Sequence, residues 1–123
     1  MTIAFTVPGR PVPAKRMTRR SKYVSPEARR HLDHKGVIGW AARAAGVRPI
    51  SGPVRLECRF YVCAPLPDVS NLLKLVEDAL NGIAYEDDRQ VADAHPLRFL
   101  VWRRDEQRTE VEVGPLEEGD GVA

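Results

Sequence analysis

The run Val54-Arg55-Leu56-Glu57-Cys58-Arg59-Phe60-Tyr61-Val62-Cys63 is closed by Ala64-Pro65-Leu66-Pro67. It leads into Asp68-Val69-Ser70-Asn71-Leu72-Leu73-Lys74-Leu75-Val76-Glu77-Asp78-Ala79-Leu80-Asn81-Gly82. In the first run Val54, Leu56, Cys58, Phe60 and Val62 alternate with Arg55, Glu57, Arg59 and Tyr61, a period of two that predicts a strand with one buried face. In the second, Leu72, Leu75, Val76, Ala79 and Leu80 recur at helical spacing. The period predicts a helix from about Ser70 or Asn71 to Asn81, facing a sheet and stopped by Gly82 in the left-handed conformation.

Working outward, Thr2–Val7 reads as a first strand, broken by Pro8, Gly9, Pro11 and Pro13. The basic stretch Lys15 to Tyr23 reads as a loop. Ser25-Pro26-Glu27 then starts a helix, with Ser25 as N-cap and Pro26 in the first turn, running to about Ala45 before Gly46 and Pro49. Its apolar content is thin: Leu32, Val37, Trp40, Ala41 and Ala44 fall on or near one face, and Gly36 and Gly39 weaken it. Beyond the turn Glu86-Asp87-Asp88 two further strands are expected. One lies within Gln90–Arg104 and is interrupted near Pro96; the other is Thr109–Val113. The order β-α-β-α-β-β predicts an α+β domain over residues 1–116, a mixed four-stranded sheet with two helices packed mainly on one face. A flexible acidic tail over 117–123 follows.

With 43% hydrophobic and 29% charged residues, the composition is that of a globular domain. No apolar run approaches the roughly 20 residues of a membrane span, and no charged-then-apolar leader opens the chain, so a cytoplasmic protein is expected. Cys58 and Cys63, five apart on one strand, point to opposite faces, which argues against a disulfide. They also lack the paired spacing of a zinc site. His31, His34 and His95 match neither a serine triad nor a zinc set. His31 and His34, three apart on a basic helix, read as surface residues.

The modest net charge of +2 conceals an asymmetry. Residues 1–60 hold 13 Lys and Arg against Glu27, Asp33 and Glu57, whereas residues 61–123 hold 6 against 14 Asp and Glu. The first half therefore suits a polyanionic partner, and the second clusters carboxylates. Asp68 at the helix entrance, Lys74 on its polar stripe and Asp87-Asp88 in the return turn fit a divalent-cation site, if helix and turn bring them to the same end of the sheet. Mg²⁺ prefers carboxylate oxygens, activates water and neutralises phosphate charge, and a neighbouring lysine adds positive charge where the transition state needs it. The same spacing equally fits a helix cap at Asp68, turn formers at Asp87 and Asp88, and a surface pair of Lys74 with Asp78.

The segments Asp68-Val69-Ser70-Asn71-Leu72-Leu73-Lys74, Asp78-Ala79-Leu80-Asn81-Gly82 and Asp87-Asp88-Arg89-Gln90-Val91 resemble the signature of the RusA family of Holliday junction resolvases. The early Pro-Gly-Arg-Pro turn and the order of elements agree with it. The resemblance implies a homodimeric endodeoxyribonuclease, dependent on Mg²⁺ or Mn²⁺, that resolves four-way DNA junctions by paired symmetric nicks in recombination and repair. It implies metal-site aspartates at Asp68 and Asp88, an essential lysine at Lys74 and an assisting acid at Asp87. Ser70 stands where many relatives carry a second aspartate. Its hydroxyl is an uncharged metal ligand or, alternatively, the helix N-cap, with Asp87 or Glu57 compensating for the missing carboxylate. Weak or absent catalysis on a bound junction, or a related nuclease acting on other branched nucleic acids, is the alternative that Ser70 raises. Lys15, Arg16, Arg19, Arg20 and Lys22, followed by Arg29 and Arg30, are the expected phosphate contacts, and Tyr23 is a stacking or packing residue.

Overall fold

The structure is a computed structural model that describes residues 1–15 and 26–116. Its elements are β1 (Ile3–Pro8), α1 (Pro26–Ala44), β2 (Val54–Val62), α2 (Val69–Ala79), β3 (Val91–Leu100) and β4 (Arg108–Pro115). Short 3₁₀ turns at Asp88–Gln90 and Arg104–Glu106 precede β3 and β4. The four strands form one mixed sheet in the order β1-β4-β2-β3. β4 is antiparallel to both β1 and β2, whereas β2 and β3 are parallel and joined through α2. This is the α+β arrangement that the sequence predicts.

The alternation in β2 is realised residue by residue: Val54, Leu56, Cys58, Phe60 and Val62 are buried, and the residues between them are half-buried. Leu72, Leu75, Val76 and Ala79 of α2 complete the core with Phe5, Val7, Val111 and Val113. On the open face of the sheet the half-buried residues form a charged lattice, Arg55 with Asp93 and Glu57, and Arg59 with Glu57 and Glu112. Cys58 lies in the core, and burial pushes its thiol pKa well up, with Glu77 and Glu57 adding to the effect.

Four expectations need correction. β3 is not interrupted at Pro96 but runs through it, pairing Cys58 with Pro96. Val101 N–H donates to the Val62 carbonyl, so the odd-numbered residues of β3 turn their backbone groups toward β2. Pro96 therefore lacks its N–H on the outer side of an edge strand, where no strand among the described residues needs it.

The buried face of α1 is Ala28, His31, Ile38, Gly39 and Ala42, while Leu32, Val37 and Trp40 are exposed. Ala28, Gly39 and Ala42 keep part of this face small, so that α1 lies close to its neighbours. A Cβ at Gly39 would stand 2.9 Å from the Ile83 Cδ1. His31, read as a surface residue, is buried, and its Nδ1 accepts a hydrogen bond from the Lys15 N–H at 3.0 Å. Burial and then Lys35 hold its pKa below the usual imidazole range, against Asp78, consistent with that acceptor role.

Finally, α2 begins one or two residues earlier than expected and ends at Ala79, with Asp68 as N-cap and Leu80 as C-cap. Gly82 adopts the positive φ anticipated for the stop.

The close approach at Gly39 generates a test. Alone, Ile83→Val should cost about 0.5–1.5 kcal/mol, as Ile to Val changes in cores do. In a Gly39→Ala background it should cost measurably less, since it removes the methyl the new Cβ meets. Urea unfolding of the four proteins in the double-mutant cycle reads that coupling; strict additivity would show that α1 does not pack this closely.

Candidate active site

The N-terminal end of α2 opens into a groove of about 790 Å³, bounded by Arg10–Lys15, by Glu27 and Arg30 of α1, and by Pro67, Asp68 and Asn71. Asp68 accepts a hydrogen bond from the Ser70 N–H at 2.8 Å through one carboxylate oxygen, the expected geometry of an N-cap. Ser70 is thus the second residue of the helix, not its cap, and its side chain is exposed. Lys74, also exposed, lies one turn further along.

Arg10 fixes the approach to this end. Its guanidinium donates to the Cys63 carbonyl at 3.0 Å, the Pro65 carbonyl at 2.7 Å and the Gln107 Oε1 at 3.1 Å. It ties the loop before α2 to the loop before β4. The Ala14 N–H donates to the Asn71 carbonyl at 2.7 Å and seats the 10–15 segment against α2. Lys15, paired with Glu27 at 3.8 Å, and Arg30 bring positive charge to the groove beside Asp68. Arg29 is exposed on α1 and is not among the residues lining it. Arg16, Arg19, Arg20, Lys22, Tyr23 and Ser25 lie outside the described residues, as does the tail from Glu117.

Asp88 belongs to the opposite end of α2. Its Oδ2 lies 3.4 Å from the Asn81 Nδ2, just beyond the C-cap. Asp87 caps the 3₁₀ turn, accepting from the Arg89 N–H at 2.9 Å and pairing with the Arg89 guanidinium at 2.9 Å. Gln90 explains its own place in the motif: its Oε1 accepts from the Glu86 and Asp87 N–H groups, and its Nε2 donates to the Ile50 and Gly52 carbonyls. It pins the acidic turn to the loop before β2. The buried Tyr85 hydroxyl donates to the Glu77 carbonyl at 2.8 Å and anchors the same turn from below.

The expectation that helix and turn bring Asp68 and the paired aspartates to one end of the sheet does not hold within a chain. α2 is 11 residues long, about 16 Å at its 1.5 Å rise, and it separates the two groups. Around Asp88 stands a different set, half-buried Glu77 with Asp78 and Lys74 near it. Burial raises the Glu77 carboxyl pKa first, then the charges of Asp88 and Asp78, against Lys74. Glu57, suggested as compensation for Ser70, is on the open face of the sheet in ion pairs with Arg55 and Arg59, away from α2. Among the described residues no group of three or more His, Cys, Asp or Glu is placed to hold a metal ion.

A basic groove at one end of a helix, carboxylates at both ends and a small α+β sheet beneath are what an enzyme cutting a polyanion needs: cations to grip phosphates and acids to hold a cation. A family model described as endodeoxyribonuclease RusA matches residues 8–114 of the 123-residue chain, and the chain belongs to that family. No curated protein matches it. Membership implies endodeoxyribonuclease activity of the Holliday junction resolvase type, in a family that generally depends on divalent metal. No helix among the described residues is long and apolar enough to cross a membrane.

Arg10, Gln90 and Glu77 are the residues that a reading of the sequence passed over. Gln90 stood within the quoted motif, and Arg10 within the Pro-Gly-Arg-Pro turn, but their acceptors lie 38 to 97 residues away.

The crowding at Glu77 carries a pH signature. A carboxyl whose folded pKa is raised favours folding while protonated and loses that contribution as pH rises through the folded value. Glu77→Gln should therefore raise the melting temperature at pH 7 and have little effect near pH 4. Calorimetric scans across this range check the sign, and an equal shift at both pH values would remove Glu77 from the acidic cluster.

Proposed function

We propose that the chain is a homodimeric, metal-dependent Holliday junction resolvase, cutting two symmetric strands of a four-way DNA junction with Mg²⁺ or Mn²⁺. What carries the reading is the coincidence of the family match, which spans Asp68, Lys74, Asp87 and Asp88, with the basic groove at Asp68. The described residues of one chain do not assemble a cation site, and the division of the acids between the ends of α2 supports completion by a second copy. Asp68, with Ser70 beside it, is one half of the donor set; Asp88, with Asp87, is the other half, contributed by the partner. Lys15, Arg16, Arg19, Arg20 and Lys22 grip the DNA backbone, with Arg29 and Arg30 next to them. Lys74, between the halves, supplies positive charge close to the reacting phosphate.

A twofold dimer matches the twofold character of the substrate: two related sites face two strands of like polarity. Each site then draws one aspartate from either copy, so neither nick is made by a lone chain.

A synthetic four-way junction with Mg²⁺ or Mn²⁺ tests the activity. Paired symmetric nicks, lost on Asp88→Asn, are expected; tight binding without cutting would favour a junction-binding protein, and preferred cutting of flaps or RNA a nuclease of other substrates. The division of the site has its own test. Asp68→Asn and Asp88→Asn should each lower nicking by at least ~10²-fold, the scale of losses at metal sites. Mixed dimers of the two variants should recover nicking of a single strand, because one of their two sites then contains no substitution. Mixed dimers as inactive as either parent would place both aspartates in one chain's site.

A further inference from the structure

The outer edge of the sheet has properties that the fold alone does not require. Among the described residues β3 pairs only with β2, and none of them pairs with the other side of its backbone. Given the Val101 N–H to Val62 carbonyl bond, that other side carries the backbone groups of Ala94, Pro96, Arg98 and Leu100. Leu97, Phe99 and Leu100 along this strand are 44%, 39% and 44% exposed, and Trp102 just beyond it is 84% exposed. Such apolar exposure on an edge marks a contact surface or an aggregation hazard, and edges of natural sheets are normally protected against it.

The strand is also asymmetric along its length. Its first half, Val91, Ala92 and Ala94, is small; its second half, Leu97, Phe99 and Leu100, is large. A twofold axis through the middle of the strand lays each large half against a small half. That is the self-complementarity an isologous interface demands.

We infer that the outer edge of β3 is the seam on which a second copy of this chain docks, antiparallel, about a twofold axis near Pro96. The inference rests on the homodimer proposed above and names the surface that forms it. An axis perpendicular to the sheet keeps both copies of α2 on one side and runs them antiparallel. The N-terminal end of one helix, with Asp68, then neighbours the C-terminal end of the other, with the partner's Asp88. Both ends are matched by the same operation. Pro96 has no N–H to offer at the centre, so the middle of the seam is closed by side chains instead of by an unbroken ladder.

The alternative surface, the outer edge β1, lies three strands from α2's β3 side and would leave the two halves of the site apart.

Crosslinking separates this from the underlying reading. In a Cys63→Ser background, where buried Cys58 is the remaining native thiol, Leu97→Cys should be joined to its counterpart by a short bismaleimide in most of the protein. Thr6→Cys on β1 should not be joined. Leu97→Glu should weaken dimerisation by ~10-fold or more by sedimentation, a change of about 1.4 kcal/mol, with an unchanged circular dichroism spectrum. A protein that sediments as a dimer yet resists crosslinking at position 97, or crosslinks at position 6, would overturn the seam and leave the divided site standing. A protein that is monomeric at concentrations where it cuts junctions would overturn both.

Discussion

The parallel pairing of β2 with β3 governs the rest of the molecule. Two parallel neighbours cannot be joined by a tight turn; the chain must return the whole length of the sheet before the second strand begins. α2 makes that return, and its 11 residues impose a fixed separation between whatever precedes it and whatever follows. Asp68 precedes it and Asp88 follows. The distance between the acids is thus a consequence of topology, and no local rearrangement of caps or turns closes it. The clamps at either end, Arg10 on the Cys63 and Pro65 carbonyls and Gln90 on the Ile50 and Gly52 carbonyls, make both positions firm.

The elements themselves were readable because burial acts on faces. A period of two in Val54–Val62 and the apolar spacing in Leu72–Ala79 report directly which side meets the core, and the structure buries those sides. The helix α1 was legible as a helix but not in its orientation. Its inward face sets Ala28, Gly39 and Ala42 beside His31 and Ile38; the value of the first three lies in their lack of bulk, and hydrophobicity does not register that. Pro96 was misjudged for a similar reason: a proline breaks a strand only where a neighbour needs its N–H, and which strand is at the edge is a property of the whole sheet.

The candidate residues can be picked out in the sequence, but how the fold arranges them cannot. The residue types at Asp68, Lys74 and Asp88 are visible in the chain, but their meeting depends on the direction of α2, which periodicity leaves open. Arg10 and Gln90 carry no signal of their own, since a side chain that bonds distant carbonyls looks like any exposed polar residue in sequence. The charge asymmetry was more informative. It anticipated that cations and carboxylates occupy different regions, and the structure sets Lys15 and Arg30 around the groove while Glu77, Asp78 and Asp88 gather at the other end of α2.

Ser70 takes on a different meaning in this geometry. Its N–H is the group that Asp68 caps, so one oxygen of the exposed Asp68 is committed to the helix. An aspartate at position 70 would add negative charge in the first turn of α2, where the helix dipole favours it, and a second carboxylate beside the first. Serine forgoes that charge and leaves Asp68 as the sole acid at this end among the residues lining the groove other than Glu27, which is paired with Lys15. In the proposed site the burden of cation binding then shifts toward the carboxylates at the other end of α2, where Glu77 is crowded by Asp88 and Asp78. A half-buried carboxyl held partly against its charge by its neighbours gains from an added cation what an isolated one does not. In the proposed site, whose halves come from opposite ends of α2 in two copies of the chain, the loss at Ser70 and the crowding at Glu77 are complementary features.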